Sequence, residues 1–212
     1  AGEVHGLIGE NGAGKSTLMA VASGALRPET GTVLIDDTEV GADPVRTRSL
    51  GLAIVRQHPA LFPEMTVADN LLFGVPDAER RKITNTTRWA RECLAAWDDR
   101  PDIDPRARVS SLNPEQKFII EISRALFQKP GVLVLDEPSE HLGAEGVDRL
   151  FTAVRALAAN GTAIVYISHR IREIREISDR VTVLRDGRSR GTYITDELSE
   201  ERIVSLIIGR SL

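Results

Sequence analysis

Short apolar runs recur along the chain, and most are separated by stretches with helical spacing. Residues 4–8 read as a strand, and residues 15–25 as a helix with Leu18, Val21, Ala22 and Ala25 on one face. Residues 26–32 form a turn by their Pro and Gly, and Val33, Leu34 and Ile35 a short strand closed by Asp36 and Asp37. Residues 46–50 suit a short helix, and residues 51–57 a strand that delivers Gln57 to its carboxyl end. Val132, Leu133, Val134 and Leu135 are apolar in succession, as in a strand buried on both faces, and they run into Asp136 and Glu137. A helix over 147–159 turns Leu150, Phe151, Val154 and Leu157 inward and ends at Asn160-Gly161. Residues 162–167 repeat the buried-strand pattern and place Ser168 and His169 at the tip. A helix over 171–178, a strand over 181–184, a return hairpin over 190–194 and a closing amphipathic helix over 196–208 complete the pattern.

Residues 58–130 have another character. Pro59, Pro63, Pro76, Pro101, Pro105 and Pro114 punctuate helical runs over 66–73, 77–97 and 115–127, with no strand-like stretch between them. The pattern therefore predicts an α/β core made of 1–57 and 131–212, with a mostly parallel sheet and an antiparallel part. A helical subdomain, 58–130, is inserted into it. Asp98, Asp99, Arg100, Asp102, Arg106 and Arg108 read as a charged, solvated loop.

Composition narrows the function. The chain has 212 residues, 42% of them hydrophobic, which suffices for a buried core. A net charge of −4 and an aromatic content of 4% give no basic or stacking surface for nucleic acid. No apolar run reaches transmembrane length, so a membrane role would be peripheral. The single cysteine, Cys93, lies in a helical run and reads as a buried spectator. The sequence opens directly on the first strand, which suggests a piece of a longer chain.

The chemistry concentrates in Gly9-Glu10-Asn11-Gly12-Ala13-Gly14-Lys15-Ser16-Thr17, which fits G-x-x-x-x-G-K-[ST] between a strand and a helix. Glycines let successive backbone N–H groups turn inward, and the following helix adds its positive end. Such a loop holds nucleotide phosphates, with Lys15 reaching the β- and γ-phosphates and Ser16 binding Mg²⁺. Asp136 at a buried strand terminus suits Mg²⁺, and Glu137 beside it suits a water-orienting or proton-accepting role. An acidic surface turn is the plainer reading of that pair, but its place after four apolar residues favours function. His169 ends the next buried strand and is placed to hydrogen-bond the γ-phosphate. Gln57 alone would pass for an ordinary strand terminus. His5, His58 and His141 carry no comparable signal.

In this order, Gly9 to Thr17, Gln57, Leu112 to Gln116, Val132 to Ser139 and His169 resemble an ABC-transporter ATPase domain. They match its Walker A, Q-loop, signature, Walker B with catalytic Glu, and switch His. Val165 to Ile171 and Ile207 to Leu212 further resemble the monosaccharide importers, whose chains carry two such domains, and this one is similar to the first. The resemblance implies a P-loop NTPase of ABC type that hydrolyses ATP with Mg²⁺ at a head-to-tail interface with a second ABC ATPase domain. It implies Glu137, His169 and Gln57 in catalysis, and Ser16, Gln57 and Asp136 around the metal. It also implies membrane permease partners on the cytoplasmic side and uptake of a monosaccharide.

One motif departs from the family. Where it reads L-S-G-G-Q, this chain has Leu112-Asn113-Pro114-Glu115-Gln116. Pro114 has no N–H to offer. Glu115 brings charge that repels a phosphate by about 1 kcal/mol at 4 Å in water and about 4 kcal/mol at an effective dielectric of 20. The same residues make a good helix start: Asn113 as N-cap, Pro114 at the first position, and Gln116 closing a capping box. This predicts a signature that serves a partner's nucleotide weakly. Residues 140–143 also depart from the general superfamily pattern. The competing reading is a degenerate regulatory half that dimerises and hydrolyses little. An ABC ATPase of translation or DNA repair is disfavoured by the acidic charge.

Overall fold

The structure, a computed structural model, describes residues 2–97 and 102–209. Asp98, Asp99 and Arg100 of the predicted charged loop, and Arg210, Ser211 and Leu212 of the terminal resemblance, lie outside the described residues. The chain divides into one unit of Ala1–Ile54, Pro130–Glu137 and Val147–Leu212, and another of Val55–Lys129 and Pro138–Gly146. The sequence pattern placed the helical segment at 58–130. The division found here adds 55–57, with Gln57, and 138–146 to the helical unit and returns residue 130 to the core.

The first unit begins with β1 (Val4–Ile8) and α1 (Lys15–Ala22). The helix is shorter than the predicted 15–25, because the N–H groups of Ala25 and Leu26 turn back onto the Ala20 carbonyl. Its expected apolar face is only partly covered: Val21 and Ala22 are half-buried, Leu18 and Ala25 are exposed, and the one buried helix residue is Lys15. β2 (Leu34–Ile35) and β3 (Thr38–Glu39) form a small antiparallel hairpin. Asp36 and Asp37 sit at its turn with φ of 46° and 59°, so the acidic pair reverses the chain and does not merely end a strand. α2 (Pro44–Ser49) starts on the Asp43 side chain, which accepts from the N–H groups of Val45 and Arg46. β4 (Leu52–Val55) stops two residues short of Gln57.

The helical unit contains α3 (Val67–Leu72), α4 (Asp77–Arg80), α5 (Thr86–Leu94) and α6 (Pro114–Phe127). The run predicted as one helix over 77–97 breaks in two because the Asn85 side chain caps a fresh start, accepting from the Arg88 N–H. Val67, Leu71, Ala90, Cys93, Leu94, Val109 and Ile120 form the core of this unit, with Leu112 packed against it. Burial pushes the Cys93 thiol up to about 12, with Glu92 adding to the effect, so it stays protonated and inert. Glu121 of α6 is also buried. Its carboxylate accepts from the Ala60 N–H at 2.9 Å and from Arg124 at 3.1 Å.

The chain returns to the first unit with β5 (Val132–Asp136), α7 (Ala144–Ala159), β6 (Ala163–Ile167) and α8 (Ile171–Ile177). β7 (Arg180–Arg185), β8 (Arg188–Ile194) and α9 (Glu200–Ile208) follow. The main sheet has the order β4-β5-β6-β1-β7-β8. β5, β6, β1 and β7 run parallel, and β8 returns antiparallel to β7. Leu7, Val134, Ile167 and Leu184 of those strands share one cluster with Ala13, Ile35 and Val40. α7 buries Leu150, Phe151, Val154 and Ala158, which explains why its inward face is apolar.

Desolvation raises the Glu121 carboxyl above its ordinary 4.5, outweighing Arg124 and the Ala60 N–H. Below 4.5 the folded and unfolded forms are both protonated. Above it the unfolded chain releases its proton first, so stability falls with rising pH until the folded carboxyl ionises too. Urea unfolding at a series of pH values should show the wild type losing stability relative to Glu121→Gln across that window, by at most about 1.4 kcal/mol per pH unit. A difference that grows in the wild type's favour would mean that Arg124 outweighs burial.

Candidate nucleotide site

The loop Gly9 to Thr17 leaves the carboxyl end of β1. Gly9 is dictated by packing: a Cβ there would stand 2.3 Å from the Leu184 carbonyl oxygen of β7. The Gly187 N–H donates to the Ala13 carbonyl at 3.0 Å, which ties the loop to the β7–β8 turn. Gly14 is the N-cap of α1 with φ of 101°, a left-handed conformation that favours glycine. No side chain caps α1, and its first turn holds no acidic residue. The backbone N–H groups of that turn therefore remain receptive to an anion.

Lys15 is buried and donates to the Gly9 carbonyl at 2.7 Å and the Glu10 carbonyl at 3.2 Å. The ammonium thus lies folded onto the loop. Ala13 is buried beside it, whereas Glu10, Asn11, Gly12, Ser16 and Thr17 are exposed.

Two further groups reach the same edge of the sheet because β5 and β6 run parallel to β1. Asp136 is the last residue of β5, in register with Ile167 of β6. Glu137 follows with φ of 50° and donates its N–H to the Ile167 carbonyl at 3.0 Å. A non-glycine residue in that region signals a conformation fixed by its surroundings. Its carboxylate turns to the tip of β6, where Oε2 lies 2.9 Å from His169 Nδ1 and accepts from the His169 N–H at 3.4 Å. A carboxylate oxygen accepts, so Nδ1 is the ring nitrogen that donates to Glu137. The Glu137 side chain is 9% exposed and that of His169 56%. One partner is therefore shielded while the other faces solvent.

The glycine cradle, Lys15, Asp136, Glu137 and His169 thus converge on one edge of the sheet. Gln57 and the signature belong to the helical unit. Gln57 Nε2 donates to Glu140 Oε2 at 2.7 Å, and its carbonyl lies 2.9 Å from His141 Nε2. Sequence reading missed these two partners: His141 lacked any strand-end position, and Glu140 lay in a loop read only for its departure from a pattern. The signature segment forms the capping box that its residues predict. Asn113 Oδ1 accepts from the Gln116 N–H at 2.8 Å, and Gln116 Oε1 accepts from the Asn113 N–H at 3.1 Å. Glu173 also escaped notice. It is buried in α8 and binds three groups around His169: the Tyr166 and Ser168 hydroxyls and the Arg170 guanidinium.

Comparison with known proteins gives the family and the fold. The sequence profile of the family described as "ABC transporter" matches residues 1–140. The arabinose import ATP-binding protein AraG of Azospirillum brasilense is 42% identical over 215 residues, covering 100% of this chain and 41% of that protein. The ribose import ATP-binding protein RbsA of Burkholderia pseudomallei is 42% identical over 217 residues, covering 100% of this chain and 42% of the relative. The chain therefore spans less than half the length of these relatives. Among solved structures, MJ1267, an ATP-binding cassette of an ABC transporter in its ADP conformation, has a TM-score of 0.73 at 25% identity. That match covers 98% of this chain and 84% of that one. A dimeric post-hydrolysis state of the cassette MJ0796, bound to ADP and Pi, is similar in fold, with a TM-score of 0.76 at 24% identity over 92% of this chain and 86% of that one. The chain belongs to the ABC transporter family and has the fold of its ATP-binding cassettes.

Proposed function

We propose that this chain is an ATP-hydrolysing domain that drives uptake of a monosaccharide by an ABC importer. The supporting observation is the Glu137–His169 pair, at 2.9 Å, on the sheet edge from which the glycine cradle and Lys15 emerge. Fold likeness supports the nucleotide, and the arabinose and ribose import relatives support the sugar. As in the family, the chain would work with a second ABC ATPase domain in head-to-tail contact and with membrane permease subunits, on the cytoplasmic face. Among the described residues no helix is long and apolar enough to cross a membrane. The relatives' names give no support to a degenerate regulatory half.

The α1 N-terminus and the Lys15 ammonium would hold the β- and γ-phosphates. Mg²⁺ fits the donors present, since the Ser16 hydroxyl and the Asp136 carboxylate are hard oxygens. The ion would neutralise charge on the phosphate oxygens. Glu137 would orient the attacking water and take its proton, and its bond to His169 holds the carboxylate in place before the step. The exposed side of His169 would meet the γ-phosphate. In the helical unit, the Asn113–Gln116 box spends on its own helix N-terminus the groups that an open signature would offer a partner's nucleotide.

Lys15→Ala should weaken ATP binding about five- to thirtyfold, since the amine exchanges loop carbonyls for a phosphate, as read by nucleotide titration. Glu137→Gln should keep ATP affinity within about twofold and lower turnover by about 10²- to 10³-fold, as read by phosphate release from the assembled transporter. Unchanged turnover would remove Glu137 from the chemistry. Replacing Asn113 by Ser and both Pro114 and Glu115 by Gly should raise turnover at the paired site. A rate that stays flat would show the native signature to be adequate.

A further inference from the structure

The switch histidine projects from a three-residue link between β6 and α8, and both of its chain neighbours are held by one buried carboxylate. Glu173 Oε2 accepts from the Ser168 hydroxyl at 3.1 Å and from the Tyr166 hydroxyl at 3.1 Å. Its Oε1 accepts from the Arg170 guanidinium at 3.0 Å. The Arg170 N–H donates to Ser168 Oγ at 3.0 Å, closing a ring that spans His169 on both sides. Tyr166 and Ser168 are wholly buried, so one wall of the ring is fixed in the core. His169 itself makes no bond to Glu173 that would compete with its bond to Glu137.

We infer that Glu173 is a positioning residue for hydrolysis: it fixes the backbone on either side of His169 so that the imidazole meets the Glu137 carboxylate. This rests on the reading of His169 given above. A carboxylate suits the task because its two oxygens face two directions, one toward the strand and the other toward the helix start. An amide at the same place accepts on one side only and turns N–H groups toward Arg170. The ordinary alternative is a carboxylate placed in the first turn of α8 to favour the helix dipole. That role would affect stability alike whether or not residue 169 is a histidine.

The two roles separate in a double-mutant cycle on the intact chain in its transport complex, with the Lys15→Ala rate as background. Glu173→Gln should lower kcat about three- to tenfold with KM for ATP unchanged, an effect confined to the step after binding. Arg170→Met, at a half-exposed position where folding is not at risk, should give a smaller fall of the same kind. In a His169→Ala background neither change should lower the residual rate further. An equal loss in both backgrounds, or no loss from either variant, overturns the positioning role. If His169→Ala alone leaves turnover intact, the reading of His169 falls first, and the positioning role goes with it.

Discussion

Strand β1 is bonded in parallel to β6 on one side and to β7 on the other, and β6 is bonded in parallel to β5. Each of β5, β6 and β1 therefore delivers its following loop to the same edge. Asp136 and Glu137, Ser168 and His169, and the Gly9–Thr17 loop arrive together for this reason alone. The apolar residues that enforce it are Leu7, Val134 and Ile167, which share one cluster. A slip of one residue in the pairing of β5 with β6 would send Glu137 to the opposite face. Its bond to His169 would then be impossible. The chemistry of the edge is thus secured by burial several residues below it.

Three helix starts use the same orphan N–H groups differently. α1 begins at a glycine and is left uncapped. α6 begins with a reciprocal box in which Asn113 and Gln116 satisfy each other's backbone. α8 has no side-chain cap, but Glu173 in its first turn reaches back to the chain before it. A helix whose first turn is open can take an anion, whereas one whose first turn is closed by its own side chains gains stability instead. Sequence alone separates the first two cases, because a Gly-Lys-Ser start and an Asn-Pro-Glu-Gln start differ in every residue that matters.

The buried strands were legible because uninterrupted apolar runs leave few alternatives, and Val132–Asp136 and Ala163–Ile167 fall where the pattern puts them. The Walker loop was legible from spacing, and the structure adds that Gly9 answers to the Leu184 carbonyl. Less visible was β3, since Thr38 and Glu39 are too few to alternate. The split of α4 from α5 hinged on one side-chain bond at Asn85, and that competes with a helical pattern which reads straight through it. The partners of Gln57 lie 83 and 84 positions away. The ring around His169 needs the turn between strand and helix to close before Glu173 can meet Tyr166. No window along the chain contains that information.

The state of Lys15 bears on how strongly such a site can bind. Its ammonium is buried and already holds two carbonyls of its own loop. A phosphate that engages the amine must take the place of at least part of that coordination. The gain is then the difference between a charge-assisted bond to an anion and a bond to a neutral carbonyl, on the order of 1–2 kcal/mol and not the full strength of an ion pair. Folding the amine inward nonetheless helps in another way. It keeps the longest side chain of the loop in a single orientation, so little rotamer freedom is left to lose on binding. The loop thereby exchanges intrinsic attraction for order, and the remaining affinity has to come from the N–H groups that α1 leaves uncapped.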